Sequence, residues 1–458
     1  MRMSTGRHYI GGDFVVPARG ETADVFEKAT DTKIGTYALG DVDDVRLAVA
    51  SALCAQPAWA ARLPAERAAV LRRMAALLES RVDEFVSTLV RETGGVIAKA
   101  RGEVAAAINR LQVCASLGAL SRGDVQPSPK HGKLTLLERV PLGVVGVITP
   151  WNFPLVLAMR AVAPALAAGN AVVLKPAELT PIAGGQLLAE VAAEAGVPPG
   201  VFNVVTGLGP AAGQPLAEHP DVALIHFTGS NAVGRLMTSI AGLRRTSLEL
   251  GGSNAFVVLD DADVQKAATC GAWSSFDFQG QTCISSSRHI VDRTLHDDYV
   301  AALVRQAGQI VVGNPIQPGV ALGPLISAEQ RDRVHSLVSR SVDMGAQVLV
   351  GGKYDGLFYE PTVVVGVTPE MPLFVEEVFG PVAPVTAVDD EAEALELTNS
   401  CQALVNAVHT DDLMRGLAFA QQLHSKNVHV NDAGPRPTDA DDVDLDEFTR
   451  RRWIGVQR

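Results

Sequence analysis

Five cysteines stand in the chain, at positions 54, 114, 270, 283 and 401. Cys283 has the neighbours that suit a reachable thiol. It lies in Gln279-Gly280-Gln281-Thr282-Cys283-Ile284-Ser285, a polar stretch with a glycine, the composition of a loop. A thiolate held there can attack an electrophilic carbon. Cys54, Cys114 and Cys270 sit in alanine-rich or helix-like surroundings and are expected to be small buried hydrophobes. Cys401 fits either description. Glu249 lies between Leu248 and Leu250, ahead of Gly251-Gly252, at the end of a strand-like run. A carboxylate there either faces solvent or is partly desolvated and able to take a proton from water. It precedes Cys283 by 34 residues, so only the fold can bring the two together. Asn152 lies in Thr149-Pro150-Trp151-Asn152-Phe153-Pro154, after a run of buried-strand type. Open parallel sheets place their sites at such strand ends, where an amide can donate to a developing oxyanion. The alternative is an asparagine that simply turns the chain between two prolines.

Two glycine segments compete for a dinucleotide. Gly207-Leu208-Gly209-Pro210-Ala211-Ala212-Gly213 is near the Rossmann fingerprint, but its third glycine falls one residue late. Phe227-Thr228-Gly229-Ser230-Asn231-Ala232-Val233-Gly234 follows a strand and opens a helix, with Ser230 as a good N-cap. Free N–H groups at that helix start could hold a pyrophosphate. Either segment could also be a plain strand-to-helix turn. Lys175 and Glu178, in Lys175-Pro176-Ala177-Glu178, could bind ribose hydroxyls or form a solvated pair. The cysteine count is odd, the spacing is wide, and no CxxC pair occurs. Neither a disulfide framework nor a metal site is expected.

These residues need elements to position them. Val144-Val145-Gly146-Val147-Ile148 is a β-branched run of the kind buried on both faces of a sheet. Similar runs recur at 171–174, 202–205, 223–227 and 255–259. Helix-like segments lie between them at 155–168, 181–195, 211–218 and 232–241. This alternation predicts right-handed βαβ units and a doubly wound parallel sheet, an α/β fold. Upstream, Val70, Met74, Leu77, Leu78, Val82, Phe85, Val86 and Leu89 make one apolar stripe, predicting one amphipathic helix that ends at Gly94-Gly95. Downstream, a second α/β region is expected, with helices near 262–276, 294–308, 327–344 and 411–424, and strands at 346–350 and 361–365. Residues 432–446 (DAGPRPTDADDVDLD) are acidic and nearly free of large apolar side chains, so an exposed or disordered loop is expected.

The length of 458 residues suggests about three structural units. Apolar residues are 47% and charged residues 20%, the balance of an ordinary globular enzyme with a large core. The net charge of −12 disfavours nucleic acid as a partner. The first sixteen residues lack a long apolar core, and no apolar run approaches the ~20 residues that cross a bilayer. A cytoplasmic enzyme with no membrane partner is the expectation.

Six segments now stand in one order: ITPWNFP, LKPAELTP, FTGSNAVG, LELGG, GQTC and EEVFGPV. Together they resemble the aldehyde dehydrogenase superfamily, across about residues 9–432 and 447–457. The local sequences around 139–176, ALGPLIS and GLFYEPTV look most like its benzaldehyde- or vanillin-type branch. The resemblance implies Cys283 as the nucleophile, Asn152 and the Cys283 N–H as oxyanion donors, and Glu249 as the base that activates water. It implies Lys175 and Glu178 at the adenosine ribose, and Ser230 with Gly229 at the pyrophosphate. Gly207 would stand beside the adenine, Glu377 and Phe379 would contact the nicotinamide ribose and ring, and Trp151 and Leu250 would also bind the cofactor. Glu178 stands where a 2′-phosphate would be repelled, so NAD is favoured over NADP.

The resemblance also implies a discontinuous NAD-binding domain (1–122 and 143–251), a catalytic domain (252–431) and an oligomerisation hairpin with a C-terminal strand (123–142 and 445–458). A homodimer or homotetramer follows from that hairpin. The reaction implied is NAD-dependent oxidation of an aldehyde, aromatic and benzaldehyde-like, to its acid through a thiohemiacetal and thioester. The alternatives are aliphatic or semialdehyde substrates, release of the acyl group to coenzyme A, and a homologue with impaired or no catalysis. The last is raised by two departures from the family pattern. Ala433-Gly434-Pro435-Arg436-Pro437 replaces a Pro-Phe-Gly-Gly stretch, and Gln402-Ala403-Leu404-Val405 replaces a Tyr-Gly-Leu-Ser turn whose glycine would allow a positive φ.

Overall fold

The computed structural model describes residues 6–117, 123–434 and 445–457. Most of the acidic segment, 435–444, therefore lies outside the described residues, as do the first five residues and the proposed boundary at 122.

Three sheets organise the chain. The first has the order Arg245–Leu250, Val222–Gly229, Val144–Ile148, Ala171–Lys175, Phe202–Val204, His8–Ile10, Asp13–Val15. Its first five strands are parallel, and the N-terminal hairpin closes one edge antiparallel. Val144–Ile148 is buried along its whole length, as β-branched residues covered on both faces should be. The chain leaves this central strand towards 171–175 and 202–204. It then returns to the other side at 222–229. That reversal makes a switch point between strands 144–148 and 222–229, where the loops after them diverge and leave a crevice. The parallel α/β fold read from the sequence is thus present.

The second sheet has the order Gln347–Val350, Thr362–Val365, Val382–Val388, Ser286–Asp292, Asn254–Val258, Val405–His409, Asn427–Val430. All of its pairings are parallel except the first. The third sheet is antiparallel and joins Thr449–Gln457, Lys133–Pro141 and Gly123–Gln126.

Two helical expectations need correction. The apolar stripe from Val70 to Leu89 belongs to two helices, Pro64–Ser80 and Val82–Thr93. Arg81 breaks them with φ −110° and ψ 18°, while its guanidinium bonds Glu84 and Glu190 at 2.7 and 2.6 Å. The spacing of three and four survives the break, so periodicity alone hides it. Cys54 also departs from expectation. It faces solvent on helix Val42–Ala61, whereas Cys114 is buried and Cys270 is half-buried.

Candidate active site

The switch point carries a cavity of about 420 Å³. Its walls come from the loop after strand 144–148 (Pro150, Trp151, Asn152) and the end of strand 222–229 with Ser230. Glu249, Cys283, Glu377 and Phe379 complete the walls nearest the chemistry. Eight residues singled out in the sequence therefore meet in one place: Trp151, Asn152, Gly229, Ser230, Glu249, Cys283, Glu377 and Phe379.

The cysteine loop is held by backbone strain and by hydrogen bonds. Helix Val264–Phe276 ends in a turn where Phe278, Gln279 and Gly280 all have positive φ, at 49°, 57° and 64°. A Cβ on Gly280 would lie 2.2 Å from the carbonyl oxygen of Gly380, so only glycine fits there. The Gln279 amide pays for part of this strain by donating to the carbonyls of Gly94 and Pro324 at 2.9 and 2.7 Å. Beyond the turn, buried Asn254 donates to the Cys283 and Ser285 carbonyls at 2.8 and 2.9 Å. Its Oδ1 accepts from the N–H groups of Leu404 and Val405. The altered 402–405 turn is thus tied to the cysteine loop. Ala403 is not among the residues with positive φ, so this chain makes the turn without a glycine.

Cys283 is half-buried. Burial pushes its thiol up to about 11; Arg160 opposes this, and Glu377 and Glu249 add to it. Asn152 donates from Nδ2 to the Gln281 carbonyl at 3.0 Å. Glu249 is 32% exposed, with Oε1 3.5 Å from Lys426 Nζ. Burial pushes Glu377 up to about 7, against Arg333 and a bond from the Gly252 N–H. Its Oε1 is buried without a hydrogen-bond partner. Phe379 has a positive φ of 52°, and its ring meets Trp151 edge-on at 5.4 Å.

Two further cavity residues were not visible in the sequence. Arg333 donates to the carbonyls of Glu377 and Val378 at 2.6 and 3.0 Å, and Gln330 donates to that of Phe379 at 2.8 Å. Helix Ala328–Asp343 thereby holds the strained 377–379 segment. A solvated helix face predicts nothing of this, because carbonyl partners leave no mark in composition.

Other expected residues lie off the cavity. Lys175 ends its strand, with Nζ 2.9 Å from Glu178 Oε2. Burial pushes the Glu178 carboxyl up, but Lys175 outweighs that and holds it below the usual range. Gly207 has φ 150° and packs on Gly40, whose carbonyl oxygen a Cβ would approach to 2.9 Å. Leu250 packs against Gly234. Ser230, which does line the cavity, caps helix Asn231–Ala241 and accepts from the Val233 N–H. Among the described residues, no group of three His, Cys, Asp or Glu is placed to hold a metal ion, and no helix is long and apolar enough to cross a membrane.

These residues fit a dinucleotide. A capped helix start offers N–H groups to phosphate, a Lys–Glu pair follows a second strand of the same sheet, and Glu377 carries a buried acceptor without a donor. A thiol, an amide and a carboxylate that line one cavity at the switch point of such a sheet mark the class of α/β enzymes with their site at the strand ends. Comparison with known proteins narrows the class. Residues 14–441 match the family model described as "Aldehyde dehydrogenase family". The chain is 42% identical to benzaldehyde dehydrogenase [NAD(+)] of Pseudomonas putida, over 96% of this chain and 94% of that one. It is 44% identical to vanillin dehydrogenase of an Amycolatopsis strain, over 93% and 88%. The crystal structure of an NAD-dependent benzaldehyde dehydrogenase from Corynebacterium glutamicum superposes with a TM-score of 0.91 at 40% identity, covering 99% of this chain and 97% of that one. The chain belongs to the aldehyde dehydrogenase family, whose members are NAD(P)-dependent oxidoreductases acting on aldehydes.

Proposed function

We propose that this protein oxidises aromatic aldehydes of the benzaldehyde type to carboxylic acids with NAD, through a covalent adduct on Cys283. One observation carries the proposal: Cys283, Asn152 and Glu249, far apart in sequence, line one cavity. Buried Phe153, Val156, Leu157 and Phe278 form an apolar cluster, of which Leu157 lines the cavity. The two curated relatives named above point to the same substrate class.

The steps follow from the side chains. Cys283 gives its thiol proton to solvent water, and the thiolate bonds to the aldehyde carbon, whose carbonyl oxygen becomes an oxyanion. The Asn152 amide and the Cys283 N–H hold that charge. NAD, when bound, supplies the hydride acceptor; Lys175 and Glu178 would hold its adenosine ribose, Ser230 its pyrophosphate, and Glu377 and Phe379 its nicotinamide end. Loss of the aldehyde hydrogen leaves a thioester on Cys283. Glu249 takes a proton from water, the water oxygen attacks the thioester carbon, and the acid leaves as the thiol is restored. An ionised Glu178 disfavours a 2′-phosphate, which supports NAD over NADP.

We assign the first sheet to nucleotide binding (1–122 and 143–251), the second to catalysis (252–431), and the third to assembly (123–142 and 445–458). Trp453 on the third sheet is 64% exposed, and Leu413 and Met414 are 64% and 72% exposed. Such apolar surface supports a homodimer or homotetramer. Five free cysteines accord with a cytoplasmic location. The test is NADH formation by purified protein across an aldehyde panel. Turnover of benzaldehyde is expected; failure with aromatic and aliphatic aldehydes alike overturns the reading.

A further inference from the structure

Helix Ile97–Leu117 reaches the active site without lining its cavity. Lys99, in its first turn, places Nζ 2.6 Å from Glu103 Oε2 and 2.7 Å from the carbonyl oxygen of Asn152. The two side chains are 3% and 0% exposed. The same ammonium lies 4.1 Å from the ring centres of both Phe153 and Phe278. Those rings meet edge to face at 5.1 Å. Glu103 uses its other oxygen to accept from the N–H groups of Leu155 and Val156, at 2.9 and 3.4 Å. These N–H groups belong to the first turn of helix Pro154–Ala168, directly after Asn152.

One ion pair therefore grips two segments. Through the Asn152 carbonyl and the helix start, it holds the stretch that carries the oxyanion amide. Through Phe278, it holds the left-handed turn that leads to Cys283. Stability alone is a poor reason for this arrangement. A buried ion pair loses its hydration, and apolar residues of equal volume often stabilise as well or better. Burial indeed opposes the charge on Lys99 and lowers its pKa, and Glu103 offsets only part of that. What an apolar substitute cannot do is bond the Asn152 carbonyl and draw in two ring faces at once.

We propose that Lys99, paired with Glu103, is a positioning residue that fixes the Asn152 amide relative to the Cys283 thiol. The inference rests on the roles proposed above for those two residues. It is tested in the full chain by the neutral pair Lys99→Met with Glu103→Gln, which keeps volume and leaves no lone buried charge. The expected kcat for aldehyde oxidation falls by about 10- to 100-fold, the size of effect a displacement of about 1 Å produces. KM for the aldehyde and Kd for NAD stay within about twofold, because neither ligand touches the pair. The same change made in an Asn152→Ala background costs clearly less than in the wild type, because no amide is left to position and only the hold on the thiol turn through Phe278 remains. An unchanged kcat overturns the inference, as does an equal loss in both backgrounds. If the neutral pair does not fold, Lys99→Arg replaces it in the same cycle, with the same two deciding outcomes. A wild type that oxidises no aldehyde overturns the functional reading and this inference with it; an active wild type with additive losses overturns this inference alone.

Discussion

The side-chain amide of Asn152 is tied to the backbone of the cysteine loop: its Nδ2 donates to the Gln281 carbonyl at 3.0 Å, two residues before the thiol. An amide nitrogen carries two hydrogens. One makes this tie, and the other remains for an oxyanion. Its Oδ1 is buried with no partner. An orphaned acceptor of that kind costs about 1–3 kcal/mol, so the asparagine is a poor choice for stability and a good one for chemistry.

Asn152→Ala removes the donor together with the orphaned oxygen. We predict a fall in kcat of about 10²–10³-fold, the usual loss of one oxyanion donor. Thermal unfolding should show little or no loss of Tm. A variant that keeps its rate would remove Asn152 from the mechanism.

The Cys283 thiol, pushed up to about 11 by burial, is protonated at neutral pH in the enzyme without nucleotide. Only the thiolate reacts. Alkylation of Cys283 by iodoacetamide should therefore rise about tenfold per pH unit between about 7 and 9, with no plateau below about 10. Peptide mapping must follow Cys283 itself, because Cys54 is exposed and will also react. Replacing Glu377 by Gln removes a negative neighbour, so at a fixed pH the thiol should react faster. A plateau near neutral pH would contradict this electrostatic account.

In the proposed mechanism Glu249 acts after the hydride has gone. In Glu249→Gln the thioester should form and then wait for water. The expected record is a burst of about one NADH per active site, followed by turnover slower by about 10²–10⁴-fold, the range of a lost general base. Steady turnover at the wild-type rate would assign the water step to another group.

How legible these features are in the sequence depends on what each side chain bonds to. Strand Val144–Ile148 announces itself, because a strand covered on both faces must be apolar. Strand Ser286–Asp292 is buried at all seven positions, yet its sequence SSRHIVD gives no such signal. Its polar groups are satisfied internally: Arg288 donates to the Ser253, Leu397 and Thr398 carbonyls, and His289 sits between Ser275 and Tyr299. Cys283 stands out through its polar, glycine-bearing neighbours. Lys99 and Glu103 do not, because a lysine and a glutamate four residues apart usually mark a solvated helix face. Only the fold shows that this pair is inside.

The proposed preference for NAD turns on one partly exposed charge. Glu178 is 38% exposed and paired with Lys175 at 2.9 Å. Lys175 more than offsets the burial that would raise its carboxyl, so the group is ionised throughout the working pH range. A 2′-phosphate placed at the ribose site proposed for this pair would meet that charge. Two unit charges about 4 Å apart interact by about 1 kcal/mol in water and about 4 kcal/mol near a protein surface. Even the lower figure disfavours NADP severalfold. Glu178→Ser removes the repulsion and frees Lys175 to pair with the phosphate. The ratio of kcat/KM with NADP to that with NAD should rise at least about tenfold, a change of about 1.4 kcal/mol. An unchanged ratio would mean that cofactor choice is made by a different residue, and that the Lys175–Glu178 pair serves only to end its strand.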